Sequence, residues 1–198
     1  MDKYLQSCGT EFWQNVFRAE ADYILKELTD AENILSVGCG PAIIERALSQ
    51  HGFNVTGLDI SREALNQAPD SIRTVVGAVE NMSFADCSFD AVIYVASLQF
   101  IDKYRQAIKQ TARVLKPHGK LLAMLLNPAS KFFGEKAQNS GSYVTRIKRT
   151  DPTEIATAIA EYFSVQTEYF LGIQGREIFN TVEPNLAALY VIKGKKKQ

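Results

Sequence analysis

Two glycines one residue apart, Gly38 and Gly40, close a short apolar run from Ile34 to Val37 and are followed by Pro41 and a helix-like pattern. A turn of this kind lets backbone N–H groups come close to a ligand, and the N-terminus of the next helix adds the positive end of its dipole. The chemistry on offer is the holding of a charged or phosphorylated small molecule. Asp59 strengthens that reading. It lies nineteen residues beyond Gly40, at the end of a second apolar run, where a carboxylate can accept both hydroxyls of a ribose. The competing reading of Asp59 is a cap for a helix starting near Ser61.

The elements that must position these residues follow from periodicity. Apolar residues between Glu11 and Leu28 recur at helical spacing after Thr10. Strands are predicted at 34–37, 55–58, 72–76, 89–95 and 120–126, with helices at 42–51, 61–68 and 103–115 between them. Lys116-Pro117-His118-Gly119 is a strong breaker. Residues 127–150 show weak periodicity, which reads as a lid or a partly disordered segment. A helix from Asp151 to Tyr162 and two late strands, 165–171 and 187–192, complete the chain. This alternation predicts an α/β domain with a mostly parallel, doubly wound sheet and helices on both faces. Ligands on such sheets sit at the carboxyl ends of the strands.

Composition narrows the partners. Twenty-two basic and twenty-two acidic side chains cancel, which gives no electrostatic case for nucleic acid or an anionic membrane. Cys8, Cys39 and Cys87 form neither a paired framework nor a zinc spacing, so no metal is expected and the chain reads as cytoplasmic. No window approaches a membrane span. The chain is expected to be one 198-residue domain, a monomer or homodimer acting on a small molecule. The basic tail KGKKKQ reads as a solvated end.

The dinucleotide pattern G-x-G-x-x-G fails at Ile43, which argues against an NAD-dependent oxidoreductase. The stretches ILSVGCGPA, VTGLDIS, GAVENMSFADCSFDAVIYVASLQFID and RVLKPHGKLL, over about residues 31–126, instead have the order and spacing of a methyltransferase core. The sequence resembles class I S-adenosylmethionine-dependent methyltransferases of the type 11 group, which act on small molecules in ubiquinone and menaquinone biosynthesis. That resemblance implies a Rossmann-like, seven-stranded sheet in the order 3-2-1-4-5-7-6 with strand 7 antiparallel. It also implies S-adenosyl-L-methionine as donor and S-adenosyl-L-homocysteine as product. Residues 1–30 would be a helical lid segment, 31–126 the cofactor-binding core, 127–150 a substrate loop and 151–198 the C-terminal helix and strands.

Carried onto this chain, the resemblance places Gly38, Cys39 and Gly40 along the donor's methionine part, Asp59 on the ribose and Ile60 against adenine. Val79 would offer its backbone to adenine, and Glu80 or Asn81 would supply a polar group. Tyr94 and Val95 would face the reactive methyl. The family's motif acid before the glycine turn is Ser36 here, its third glycine is Ala42, and its adenine-contacting aspartate is Ala78. These departures motivate a second reading, a catalytically degenerate methyltransferase-like binding module. Transfer from a sulfonium needs alignment more than acid–base help, so a dedicated base is optional. Gln99 and Tyr143 are the catalytic candidates, and Glu20, Tyr23, Asn127 and Arg146 could also reach an acceptor. The cations Lys131, Lys136, Arg146, Lys148 and Arg149 in the substrate loop hint at an anionic acceptor. Phe12 and Trp13 either cover the donor or dock their helix on the core, while His51 and His118 read as structural.

Overall fold

The computed structural model describes residues 8–139 and 141–198; the first seven residues of the expected lid segment lie outside them. Helix α1 (Glu11–Glu27) buries Val16, Glu20, Ala21 and Ile24, a single stripe at helical spacing. The core then alternates β1 (Asn33–Val37), α2 (Ile43–Gln50), β2 (Asn54–Asp59), α3 (Arg62–Leu65), β3 (Arg73–Val76) and β4 (Phe89–Val95). It continues through α4 (Tyr104–Val114), β5 (Leu115–Leu126), α5 (Lys131–Ala137), α6 (Pro152–Ala160), β6 (Phe163–Gln174), β7 (Glu177–Phe179) and β8 (Ala187–Lys196). The expected strands and the long helices are found within a few residues, except that β5 begins at Leu115 and runs through the 116–119 stretch expected as a breaker. The exception among the helices is the one expected over 61–68, which is a single turn capped by Ser61, whose Oγ accepts from Ala64 N–H.

The sheet order is β3-β2-β1-β4-β5-β8-β6-β7. Strands β1 to β5 run parallel, and β8 lies between β5 and β6, antiparallel to both. The expected order is therefore present, corrected by one strand: β7 adds an eighth, hairpinned onto the β6 edge. The sequence signal of a three-residue edge strand is too short to separate from a turn.

Alternation along the strands divides the core. Leu35, Val37, Leu58, Val92 and Tyr94 pack with α4 and α6 residues such as Ile108 and Ile155. Ile34, Val55, Ala91 and Ile93 pack on the other face with Ile24 of α1 and Leu48 of α2. Residues 127–150, expected as a lid or partly disordered, contain α5 and a 3-10 turn (Tyr143–Arg146) anchored by buried Phe132 and Val144. Helices this short gain their stability from packing, so their own periodicity is weak.

Gly57, inside β2, explains how the glycine turn seats on the sheet. A Cβ there would lie 2.6 Å from Cys39 Sγ. The expected outcome for Gly57→Ala is a loss of about 1–3 kcal/mol by overpacking. Adding Cys39→Ala should recover most of it, read by denaturant unfolding of the single and double variants; no recovery would mean the clash lies elsewhere.

Candidate functional site

A cavity of about 610 Å³ opens where β1, β2, β4 and β5 end, lined by Val37, Leu58, Asp59, Val95 and Leu126. It lies beside the junction of β1 and β4, the point where the strand order reverses. The turn after β1 forms one wall. Gly38, Gly40 and Ala42 all have left-handed backbones, with φ of 73°, 54° and 56°. Gly38 and Cys39 donate N–H bonds to Leu58 O at 2.7 and 3.4 Å, and Gly40 N–H donates to Asp59 Oδ2 at 2.8 Å. Asp59 Oδ1 accepts from Ser61 N–H at 2.8 Å, so Asp59 is a cap as well as a cavity wall. Ser97 holds the turn from β4, donating its Oγ to Val37 O at 2.6 Å.

Most sequence-derived cofactor positions converge here. Gly38, Cys39, Gly40, Asp59, Ile60, Val79, Glu80 and Val95 all line the cavity, and Ile60 does so with 76% of its surface exposed. Tyr94 does not. Its side chain is buried on the α4 face, sharing a 2.6 Å hydrogen bond with Thr111 Oγ1, because alternation along β4 turns Tyr94 and Val95 to opposite faces. Asn81 is likewise absent from the lining.

The catalytic candidates separate in the same way. Gln99 is buried outside the cavity, where its Oε1 accepts from Leu126 N–H at 2.7 Å and its backbone carbonyl accepts from Lys148 and Arg149. It is a clamp between β5 and the following segment, a correction to its candidate role. Tyr143 does line the cavity, and burial together with the nearby Glu20 holds its phenol protonated. Tyr23 donates to Glu168, and buried Asn127 donates to the Pro184 and Ala187 carbonyls, so both are occupied elsewhere. His51 caps its own helix against Ala47 O, and His118 sits exposed in the irregular start of β5.

Trp13 and Phe17 of α1 line the cavity while Val16 and Ile24 anchor the helix in the core, so α1 both covers the site and docks. The same stripe carries Glu20, 5% exposed. Burial, with Glu45 adding repulsion, pushes its carboxyl up to about 8. Glu45, also buried, accepts the Ser36 hydroxyl at 2.5 Å; burial pushes it up to about 7, Ser36 opposing and Asp59 adding. Burial first, then Glu45 and Asp59, holds the Cys39 thiol protonated. Sequence reasoning missed Glu45 and Ser97. The signal for Glu45 was its place on the buried stripe of α2 with Ile44 and Leu48.

Both carboxyls hold protons more tightly folded than unfolded, so the stability they confer is complete below pH 4.5 and is lost as pH rises through 7 and 8. Glu20→Gln should therefore match the parent near pH 4.5 and exceed it by about 1–3 kcal/mol at pH 9, measured by thermal unfolding of the ligand-free protein. Equal stability at both pH values would show that Glu20 is not desolvated.

Comparison with known proteins places this architecture. Residues 35–123 match the family described as a methyltransferase domain. A demethylmenaquinone methyltransferase of Corynebacterium glutamicum is 34% identical over 110 residues, covering 54% of this chain and 48% of that one. A ubiquinone biosynthesis O-methyltransferase of Coxiella burnetii is 28% identical over 113 residues, covering 53% and 48%. The chain spans about half the length of these relatives. A Thermotoga maritima structure, named as a SAM-dependent methyltransferase and possible histamine N-methyltransferase, shares the fold at TM-score 0.82 over 99% of this chain and 98% of that one, with 19% identity. An Archaeoglobus fulgidus SAM-dependent methyltransferase does so at 0.80 over 98% and 100%, with 14% identity. The glycine turn and the second-strand aspartate thus lie in the stretch that matches the methyltransferase domain family, on a sheet that shares its fold with these solved structures.

Proposed function

We propose that the chain is an S-adenosylmethionine-dependent methyltransferase acting on a small-molecule acceptor. The observation that carries this reading is the joining of the Gly38–Gly40 turn to Asp59 at the mouth of a cavity large enough for a donor and a small acceptor. The residues fit the donor. A Cβ at Gly40 would meet no protein atom within 4 Å, which leaves that side of the turn open for a ligand. Each Asp59 oxygen receives one backbone N–H and keeps a second acceptor direction for a ribose hydroxyl. Exposed Ile60 offers an apolar face for adenine, Val79 lines the same cavity, and Glu80 is a cavity carboxylate near Ala78.

The departures from the family pattern have counterparts in the structure. Ser36 lacks the motif carboxylate, but its hydroxyl holds that of Glu45 at the same strand end. This supports retained donor binding over the degenerate alternative. When bound, the donor supplies a sulfonium methyl whose leaving group is a neutral thioether, so the chain's task is to align the acceptor and exclude water. Trp13, Phe17, Phe100 and Leu171 wall the space where water must be excluded. Tyr143, held protonated, can donate a hydrogen bond there but cannot serve as the base.

The relatives named for quinone biosynthesis make a phenolic acceptor a candidate. An anionic acceptor has less support, because most of the loop cations are engaged by other side chains. Lys136 lies over the Phe132 ring, Arg149 over Tyr104, and Lys148 is 3.8 Å from Asp102. Arg146 is the loop cation among the lining residues.

Asp59→Ala should weaken S-adenosylhomocysteine binding by about 1–3 kcal/mol through lost charge-assisted hydrogen bonds and a loosened turn, measured by isothermal titration. Absence of binding of either sulfur ligand by the parent protein would sink the methyltransferase reading. Binding without turnover across a labelled-donor screen of metabolites would favour the degenerate module.

A further inference from the structure

We propose that Glu20 is the acceptor-binding carboxylate of this cavity, and that the acceptor is a small protonated amine on an apolar or aromatic body. The proposal rests on the methyl-transfer reading above and deepens it.

Charge distribution is the first observation. The chain has no net charge, yet its described cavity residues include six acids (Glu20, Glu45, Asp59, Glu63, Glu80 and Asp102, the last 3.8 Å from Lys148) and one base, Arg146. A concave surface of that sign concentrates cations. Glu20 is the second observation. It is 95% or more buried, lines the cavity, and accepts no hydrogen bond from any described residue. Glu45, in contrast, is tied to Ser36 at the glycine turn, and Asp59 is tied to Gly40 and Ser61. These two acids therefore belong to the donor's end. Glu20 comes from a different element, on the same helical stripe as Trp13 and Phe17, and it bears electrostatically on Tyr143, which lines the same cavity.

An ionised carboxylate in such surroundings is unfavourable until a cation shares its desolvated space. Aromatic faces at Trp13 and Phe17 would attract that same cation and pack its body. The chemistry balances. The ammonium gives one proton to Glu20, freeing a lone pair on nitrogen. A new N–CH3 bond then forms as the donor's S–CH3 bond breaks and its electron pair stays on sulfur. The products are the N-methylammonium, neutral S-adenosylhomocysteine and protonated Glu20, which returns its proton to solvent after release.

The test uses binding, with Trp13, the chain's single tryptophan, as fluorescent reporter. Protein saturated with S-adenosylhomocysteine is titrated with 2-phenylethylamine and with its uncharged analogue 2-phenylethanol. The amine should bind about tenfold or more tightly than the alcohol. Glu20→Gln should abolish that preference while leaving S-adenosylhomocysteine affinity within about twofold. Replacing the carboxyl by an amide keeps its size and removes its ionisation, and circular dichroism confirms the fold. No saturable amine binding, no preference over the alcohol, or a preference that survives Glu20→Gln overturns the proposal. So does a parallel loss of S-adenosylhomocysteine affinity, which would place Glu20 on the donor. Should the parent fail to bind S-adenosylhomocysteine at all, the methyl-transfer reading falls, and the same two probes titrated into protein alone still decide whether Glu20 selects a cation.

Discussion

The carboxylate of Asp59 is the constraint on which the site depends. One side chain receives the N–H of Gly40 from the turn after β1 and the N–H of Ser61 from the turn after β2, each at 2.8 Å. Two loops that leave adjacent parallel strands are thereby fixed to one another, with the Leu58 carbonyl holding Gly38 and Cys39 from the same strand. Hydrogen bonds to an ionised acceptor are stronger than neutral ones, so the turn is preorganised before any ligand arrives. A capping aspartate and the proposed ribose-binding one are compatible, because the capped carboxylate also lines the cavity.

Around that fixed corner the chain assembles acids from separate elements. Glu45 enters from α2 and Glu20 from α1, and each is buried enough to favour its protonated form. Their mutual repulsion makes the empty cavity the least comfortable state at alkaline pH, where both ionise. A cation that enters relieves both, which couples ligand binding to the stability of the α1 and α2 cover. A chain with no net charge can in this way gather acids on one concave surface.

Much of this arrangement was legible in the residues, and the failures have identifiable causes. Spacing between Gly40 and Asp59 survives because strand–turn–helix units have nearly fixed dimensions. Tyr94 and Val95 could not be told apart without knowing which face of β4 turns toward the cavity, since both faces of that strand are covered and its apolar run is continuous. Gln99 read as a reactive polar group near the end of β4, yet its side-chain amide accepts from Leu126 and its backbone carbonyl from Lys148, contacts set by a 3-10 turn with no sequence period. Glu45 was hidden for the opposite reason. An acid in the first turn of a helix usually faces solvent and complements the dipole, and only the position of Leu48 shows that this one faces inward.

The broken glycine fingerprint shows why a motif should be read by what each position requires. Gly38 needs both a left-handed backbone and space, because a Cβ there would lie 2.5 Å from Ser97 Cβ. Gly40 needs the left-handed backbone and opens on the cavity, so a side chain there would occupy ligand space without touching protein. Position 42 needs the conformation alone: Ala42 adopts φ 56° while buried, at a conformational cost of about 1–2 kcal/mol. Its methyl group fits outside the cavity, and neighbouring Cys39 O still accepts its N–H at 3.0 Å. Of the three glycine positions, the one this chain has given up is the one where a side chain costs strain but neither clashes nor blocks a ligand, so the turn keeps its shape without the full pattern.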